Sequence, residues 1–366
     1  MLAFSGGGTR AAALAYGVLQ ELRDTTVVID GRERSLLDEV DLVSSVSGGS
    51  FTSAYYALYG ERIFDDFEDA FLKRNVQGQL IRGLLNPLEW FACTGRTEMA
   101  VKLYQREVFD GATFRDMQRP RSPLTLINAS DLGYGVRFSF VQEYFNLLCS
   151  DISDFPVARA VTASSAVPVL FNPVVLENYR DCKQTKPDWL KAAEERAVGD
   201  PDMKRVVSGL NSYFKQDFVD GGITDNLGLR AICEIVEVSG GIDTLVRKLD
   251  RKPARHLVVI SVNASTDPEP EMDISNEQPS LGETIGAVTD AQLHLYNTAT
   301  LELMNTSVQR WARDLATPGA PVSPYFIQLG FRDIKEPEQR RFFNQVPTSF
   351  SLQNSRQSAS NYVFLC

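Results

Sequence analysis

A serine with small neighbours occupies a predicted tight turn in the segment Ser45-Val46-Ser47-Gly48-Gly49. The segment matches the nucleophile pattern G-x-S-x-G, except that Ser45 replaces the first glycine. On such a turn between a strand and a helix the backbone is strained, and the serine hydroxyl projects clear of the sheet. Ser47 is therefore a candidate nucleophile, although the pattern by itself also fits an ordinary turn of serine and glycine.

A second glycine-rich segment, Gly6-Gly7-Gly8-Thr9-Arg10, follows a short apolar run near the start of the chain. Consecutive glycines at the beginning of a helix let backbone N–H groups point into one cavity, and such a cavity binds an anion. The anion could be a ligand phosphate or the oxyanion of a tetrahedral acyl intermediate. The phosphate-loop patterns G-x-x-x-x-G-K-[ST] and G-x-G-x-x-G are both unmet. A plain tight turn fits the three glycines equally well.

A hydrolytic serine needs a group that accepts its proton, and histidine is the usual one. The chain has two histidines: His256 begins an apolar run and His294 lies in a predicted helix, so both are interpreted as structural residues. A carboxylate must then accept the proton of Ser47 directly. Asp220 is the candidate, because an apolar pair predicts a strand before it and two glycines after it let another group approach. Asp-Gly-Gly is also common in ordinary turns.

These three segments each follow a predicted β-strand. The strands are residues 2–5, 41–46 and 218–219, and helices at 11–22 and 51–59 follow the first two. In open α/β sheets, ligands bind outside the carboxyl ends of the strands, so we expect the three segments to converge there.

The rest of the chain alternates predicted strands with predicted helices, which favours one largely parallel sheet flanked by helices. Residues 256–262 (HLVVISV) form the clearest buried strand. Residues 123–129 and 136–141 are strand-like and separated by a turn, which predicts an antiparallel pair. Further predicted elements are a strand at 325–329, helices at 154–165, 189–214, 229–238 and 285–315, and a mobile loop at 266–280.

Together these segments resemble the patatin-like phospholipase family, lipid acyl hydrolases that use a Ser-Asp dyad. Residues 6–10 are similar to the family's oxyanion segment, Ser47 to its nucleophile and Asp220 to its dyad aspartate. Residues 163–168 (ASSAVP) resemble a block that precedes a strand in those proteins. The resemblance covers residues 1–229 and is only generic beyond His256.

The resemblance implies a three-layer α/β/α fold with a mainly parallel central sheet and helical insertions. It implies that Asp220 accepts the proton of Ser47 during attack on an ester, and that an acyl-enzyme forms on Ser47. The implied oxyanion hole consists of backbone N–H groups, those of Gly6, Gly7, Gly8 and Gly48. Arg10 is interpreted as orienting the glycine segment or binding a lipid phosphate, and a purely structural role fits it equally well.

Three residues depart from the family's pattern. Ser45 and Ala11 stand where the family often has glycine, and Gly228 stands where it often has proline. All three replacements are small, so we expect them to affect catalytic efficiency more than membership of the family.

Length and composition describe a globular protein of 366 residues, 43% of them hydrophobic. We predict a single domain over residues 1–366, with a helical insertion at 60–110. The apolar side chains of residues 80–91 form the most lipid-like face of the sequence. They are interpreted either as a core-packing element or as a lid that contacts lipid.

The net charge of −10 disfavours nucleic acid as a partner. Five scattered cysteines without a C-x-x-C pair indicate neither zinc nor a disulfide framework. No metal-ligand cluster or cofactor motif is visible, so the prediction is calcium-independent activity without a cofactor or metal. No signal peptide or transmembrane segment is visible, which leaves localisation open between a soluble and a peripheral membrane protein.

The sequence thus predicts a lipid acyl hydrolase of the phospholipase A1/A2, lysophospholipase or carboxylesterase type. Its expected substrate is a phospholipid or another acyl ester at a membrane or micelle surface. One alternative is an esterase or acyltransferase that acts on small soluble esters. The other is a catalytically silent module that binds lipid.

Overall fold

The computed structural model describes most of the chain. The described residues are 1–29, 31–75, 78, 95–131, 133–166, 172–179, 185–213, 218–222, 226–251, 254–266, 281–346 and 348–349. For residues 218–222 and 281–294 the description covers the backbone alone.

A mixed β-sheet forms the centre of the molecule. The described strands are β1 (Leu2–Phe4), β2 (Thr26–Ile29), β3 (Arg32–Ser35), β4 (Leu42–Val46), β5 (Leu124–Asp131), β6 (Val136–Ser139), β7 (Val174–Glu177), β8 (Phe218–Gly222), β9 (His256–Asn263) and β10 (Ser323–Gly330). The sheet order is β10-β9-β1-β4-β5-β8-β7, and β6 pairs with β5 beside this path. From β10 to β5 all neighbours are parallel, whereas β6 and β8 run antiparallel to β5.

Helices cover the sheet, which confirms the predicted three-layer α/β/α fold with mostly parallel strands. The described helices are α1 (Gly8–Asp24), α2 (Gly48–Tyr59), α3 (Ile63–Phe67), α4 (Arg96–Glu107), α5 (Gln142–Leu147), α6 (Val157–Ser164), α7 (Asp188–Arg196), α8 (Pro201–Tyr213), α9 (Leu229–Ser239), α10 (Ile242–Lys248), α11 (Leu281–Leu315) and α12 (Pro337–Asn344). In this part of the chain no helix has the length and apolar character needed to cross a membrane.

The central strands β1 and β4 are buried along their whole length, as expected for parallel strands covered on both faces. Two buried serines of β4 satisfy their hydroxyls through backbone carbonyls. Ser44 donates to the carbonyl oxygen of Gly228 (2.6 Å), and Ser45 donates to that of Leu126 (3.1 Å). Small side chains at these positions let the neighbouring segments lie close to the strand.

Most predicted elements are present, with boundaries shifted by a few residues. The antiparallel pair is confirmed as β5 and β6. The β2–β3 hairpin was not predicted, because the charged strand Arg32–Ser35 lacks an apolar alternation. The predicted glycine turn after residue 219 is wrong. Strand β8 continues through Gly222, because it pairs with both β5 and β7. Residues 267–280 of the predicted mobile loop lie outside the described residues.

The described parts of the predicted insertion at 60–110 pack against α2. Phe51 of α2 stacks on Phe71 with ring centroids 4.1 Å apart, and Tyr104 meets Phe51 edge-on at 4.8 Å. All three rings are fully buried. These flanks therefore belong to the core beside the helix that follows Ser47. Residues 80–91, the lipid-like face of the sequence, lie outside the described residues.

Two cysteines lie among the described residues. Cys149 forms a disulfide bond, whereas the buried Cys233 keeps a reduced thiol. Scattered cysteines indicate no disulfide framework, but they do not exclude a single bond such as that of Cys149. Disulfide formation depends on the distance between two cysteines in the fold, which their spacing along the chain does not reveal.

Candidate active site

Ser47 lies at the sharp turn where β4 ends and α2 begins. Its backbone dihedrals are φ 51° and ψ −120°, a conformation that residues with side chains rarely adopt. Such strain costs on the order of 1–3 kcal/mol and persists only where the surroundings enforce it. A strained strand-to-helix turn of this kind presents the nucleophile in α/β-hydrolases. Ser47 is 6% exposed, so its side chain is almost enclosed.

The two glycines after Ser47 allow its turn to pack against the beginning of the chain. A methyl group on Gly48 would overlap the carbonyl group of Gly8, and one on Gly49 would lie 2.7 Å from Cβ of Phe4. The N–H of Gly49 donates to the carbonyl oxygen of Ser5 (3.2 Å). The close contact of the two glycine-rich segments therefore depends on the absence of side chains.

The glycine segment brings a second helix N-terminus to the same place. Gly7 and Gly8 have φ values of 136° and 63°, which favour glycine. Helix α1 begins at Gly8 and α2 begins at Gly48, so the positive ends of two helix dipoles meet beside Ser47. Among the described residues, none accepts a hydrogen bond from the N–H groups of Gly7, Gly8 or Gly48. This arrangement can bind an anion next to Ser47.

Asn226 joins the chain that follows β8 to the glycine segment. Its carbonyl oxygen accepts the N–H of Gly6 (2.8 Å), so Gly6 fixes the segment rather than offering a free donor. A methyl group on Gly6 would lie 2.7 Å from Oδ1 of Asn226 and 3.4 Å from Cβ of Ser47. Gly6 therefore lies between the two side chains. The chain six residues after Asp220 reaches the Ser47 turn.

Asp220 lies in β8, next to Gly221, which pairs with Asp131. Asp131 is the last residue of β5, and Ser47 directly follows the neighbouring strand β4. The backbone thus brings β8 to the edge of the sheet at which the Ser47 turn lies. The side chain of Asp220 is outside the described part of the structure, so its contact with Ser47 stays a prediction.

Ser164, the last residue of α6, contacts the Ser47 turn directly. Its Oγ accepts the N–H of Ser47 at 2.8 Å, and it lies 2.9 Å from Oγ of Ser50. The same hydroxyl donates to the carbonyl oxygen of Asn128 in β5 (2.6 Å). Ser164 is completely buried. The segment 163–168 was singled out in the sequence, but no role for Ser164 was predicted.

Arg10 is buried and makes hydrogen bonds that fit a structural role, while its roles in orienting the glycine segment or binding a lipid phosphate stay predictions. Its side chain is 3% exposed and donates from Nε to the carbonyl oxygen of Ala264 (3.0 Å). The two terminal nitrogens donate to the carbonyl oxygen of Val346 and to Oγ1 of Thr348 (3.1 Å). The guanidinium thus joins α1 to the end of β9 and to Val346 and Thr348.

Ser349 also touches the glycine segment itself. The carbonyl oxygen of Ser349 accepts the N–H of Thr9 (2.8 Å), and a methyl group on Gly8 would overlap Ser349. The N-cap residue of α1 is Gly7, which has no side chain to cap the helix. The Ser349 carbonyl therefore satisfies one of the first N–H groups of that helix, which have no partner inside it.

His256 lies at the opposite edge of the sheet from Ser47. Leu2 of β1 pairs with Ile260 of β9 on one side and with Val43 of β4 on the other. His256 lies four residues before Ile260, whereas Ser47 lies four residues after Val43. At about 3.3 Å per residue, the two are separated by roughly 26 Å along the strands. His256 is exposed. It therefore cannot accept the proton of Ser47, and the side chain of His294 lies outside the described residues.

The three departures from the family's pattern fit their surroundings. The Ser45 hydroxyl is buried and accepts a hydrogen bond from Ser53 (2.6 Å). Ala11 is a buried residue of α1 that packs against Gly7. Gly228 has φ 69°, which proline cannot adopt because its ring holds φ near −65°.

The described residues contain no group of three His, Cys, Asp or Glu side chains placed to hold a metal ion. The polar groups around Ser47 are instead hydroxyls, amides and backbone groups, contributed by Ser164, Ser50, Asn128 and Asn226. Sequence reasoning missed these four residues as parts of the site. For Ser164 a signal was present, since it lies in the segment 163–168 that resembles the family.

The site's geometry agrees with the comparison to known proteins. The Patatin-like phospholipase family matches residues 2–232, which is more than half of the chain and includes the glycine segment, the Ser47 turn and β8. No individual curated protein matches the sequence. The match covers every segment that meets at Ser47, and the chain belongs to the patatin-like phospholipase family of lipid acyl hydrolases.

Proposed function

We propose that this chain hydrolyses fatty-acyl esters of glycerophospholipids, with Ser47 as the nucleophile and Asp220 as the general base. The observation that carries the proposal is the strained backbone of Ser47 at the meeting point of two helix N-termini. Such a turn holds a hydroxyl out for attack, and the N–H groups beside it, which donate to no acceptor among the described residues, suit a developing oxyanion. An ordinary turn would need neither feature.

The reaction proceeds through an acyl-enzyme. Asp220 accepts the proton of Ser47 while Oγ attacks the ester carbonyl carbon. The N–H groups of Gly7, Gly8 and Gly48 bind the oxyanion, and one such donor is worth about 10²–10³ in rate. The C–O bond to the glycerol oxygen then breaks, this oxygen takes the proton, and the fatty acyl group stays on Ser47. Water, deprotonated by Asp220, then attacks the acyl carbon. The bond from this carbon to Oγ of Ser47 breaks, Oγ regains the proton from Asp220, and the fatty acid leaves.

The enzyme binds its substrate at a lipid surface. A net charge of −10 favours neutral or zwitterionic surfaces over anionic ones. The insertion at 60–110 is the element that contacts lipid, and its described flanks anchor it to α2 through Phe71 and Tyr104. The reaction needs no calcium, because the nucleophile is activated by a carboxylate and the oxyanion by backbone N–H groups.

The test compares Ser47→Ala and Asp220→Asn with the wild-type protein on zwitterionic phospholipid vesicles in the presence of EDTA. Each variant should lose several orders of magnitude in kcat, and a fluorophosphonate should label the wild type but not Ser47→Ala. His256→Ala is the matched control and should retain wild-type turnover, because this residue lies at the far edge of the sheet. Near-normal turnover by Asp220→Asn would reject the dyad.

The same experiment separates the alternatives. Turnover of monomeric short-chain esters without activity on vesicles would assign an esterase. An absence of labelling in the folded wild-type protein would leave only a lipid-binding role.

A further inference from the structure

The backbone of Ser47 is held from both sides by two other serines. Its N–H donates to Oγ of Ser164 (2.8 Å), and its carbonyl oxygen accepts the N–H of Ser50 (2.9 Å). The hydroxyls of Ser50 and Ser164 lie 2.9 Å apart, which closes a triangle of hydrogen bonds. All members of this triangle are buried.

Ser164 uses the full hydrogen-bonding capacity of its hydroxyl. A hydroxyl has one proton and two acceptor lone pairs. The proton goes to the carbonyl oxygen of Asn128 (2.6 Å), so Ser164 accepts from both the N–H of Ser47 and the hydroxyl of Ser50. Asn128 is a central residue of β5, and its side-chain amide in turn donates to the carbonyl oxygen of Ser45 (3.0 Å). The Ser164 hydroxyl, which accepts the N–H of Ser47, is therefore fixed to the central sheet by its hydrogen bond to Asn128.

The N–H of Ser47 controls where its side chain points. The dihedral φ describes rotation about the N–Cα bond, so holding the N–H direction limits the directions available to Cβ. At φ 51° this restraint acts against the intrinsic preference of serine for negative φ. A strained conformation lasts only while neighbouring groups enforce it.

We propose that Ser164 is a positioning residue for the nucleophile. Its hydroxyl keeps Ser47 in the strained turn and so aims Oγ at the carbonyl carbon of an ester whose oxygen is bound by the N–H groups of Gly7, Gly8 and Gly48. The inference rests on the proposed function of Ser47. It assigns Ser164 an effect on the rate of acyl-enzyme formation and not on lipid binding.

The test measures the rate at which a fluorophosphonate labels Ser47, together with kcat and KM on phospholipid vesicles. Ser164→Ala should slow labelling and lower kcat by about 10- to 100-fold with little change in KM, because small misplacements of a reacting group have effects of that size. Ser165→Ala is the matched control. Ser165 is also buried at the end of α6, but its hydroxyl donates within its own helix, to Val161 (2.6 Å). This control should keep a labelling rate close to that of the wild type.

Thermal unfolding of both alanine variants shows whether each is folded at the assay temperature. Ser164→Thr keeps the hydroxyl and should restore labelling to within a few-fold of the wild type. Equal labelling of folded Ser164→Ala and Ser165→Ala would overturn the positioning role while leaving the proposed function intact. A wild-type protein that is never labelled at Ser47 would instead overturn the proposed function and this inference with it.

Discussion

Gly48 lies so close to Gly8 that a methyl group on its Cα would overlap the Gly8 carbonyl. This contact joins the first residues of two helices, α1 and α2, which are separated by forty positions along the chain. It has a direct chemical consequence. The positive ends of both helix dipoles act on the same small volume beside Ser47, where an ester oxygen would become negatively charged.

The substitution Gly48→Ala should therefore separate the two helix N-termini. We expect a loss of about 10²-fold or more in kcat, comparable to the removal of an oxyanion donor. Overpacking should also lower the free energy of unfolding by about 1–3 kcal/mol. Vesicle hydrolysis and chemical denaturation measure the two effects. Gly95→Ala is the control, because Gly95 has φ −63° and a methyl group there would only touch Asn172 at 3.4 Å. A wild-type kcat in Gly48→Ala would show that catalysis does not need the close approach of Gly48 to Gly8.

The strain at Ser47 predicts an unusual order of stabilities. Ser47→Ala removes the hydroxyl but keeps a Cβ at φ 51°, whereas Ser47→Gly removes both the hydroxyl and the strain. Glycine tolerates positive φ, so Ser47→Gly should be about 1 kcal/mol more stable than Ser47→Ala, even though both are inactive. Chemical denaturation of the two variants under identical conditions gives the difference. A Ser47→Ala protein that is as stable as Ser47→Gly would show that the turn is unstrained.

The parts of the site that could be predicted from the sequence are local in the chain. The Ser47 turn and the glycine segment each consist of a few adjacent residues whose types already require a tight turn. Their neighbours could not be predicted in this way. Ser164 lies 117 positions from Ser47, and the partners of Arg10 at residues 346–348 lie more than 330 positions away. No local pattern encodes such contacts, because they depend on how the sheet orders its strands.

Strand β8 shows a second reason why sequence reasoning failed. Asp-Gly-Gly was interpreted as a turn, because glycine is uncommon in strand interiors. In the fold, Gly221 and Gly222 pair with Asp131 and Ser130 of β5, and the strand continues through both glycines. The convergence of the segments on one edge of the sheet was expected from parallel strands, but β8 reaches that edge in the antiparallel direction.

Arg10 should be important for stability because its buried guanidinium satisfies the carbonyl groups of the buried Ala264 and the half-buried Val346. Arg10→Met keeps most of the volume but leaves the carbonyl oxygens of Ala264 and Val346 without their donor. The free energy of unfolding should fall by about 2–3 kcal/mol, since hydrogen bonds to a charged group are lost in a buried site. The backbone at Val346 and Thr348 should also become more susceptible to limited proteolysis, because these residues lose their hydrogen bonds to Arg10.

The control for this prediction is Arg115→Met. Arg115 pairs with Asp154 at 2.8 Å, but the two side chains are 63% and 82% exposed. Removal of so exposed an ion pair should change stability by less than about 1 kcal/mol. If Arg10→Met were no more destabilised than Arg115→Met, a stabilising role for the hydrogen bonds from Arg10 to Ala264, Val346 and Thr348 would be refuted.

Gly228→Pro would bring this chain closer to the pattern expected of its family, yet we predict that it is damaging here. Gly228 has φ 69° at the start of α9, and its carbonyl oxygen accepts the hydroxyl of Ser44 (2.6 Å). Proline cannot reach this φ, so the turn between residue 226 and α9 must change, at a cost of about 3 kcal/mol or more. Because Asn226 holds Gly6 beside Ser47, the change should also lower kcat.

Gly228→Ala separates the effect of the proline ring from that of adding any side chain at positive φ. The Cβ of this alanine would lie 3.3 Å from Oγ of Ser44, and positive φ alone should cost it about 1–2 kcal/mol. Denaturation midpoints for the two variants test this order, and a Gly228→Pro protein as stable as the wild type would mean that this turn does not need the left-handed conformation.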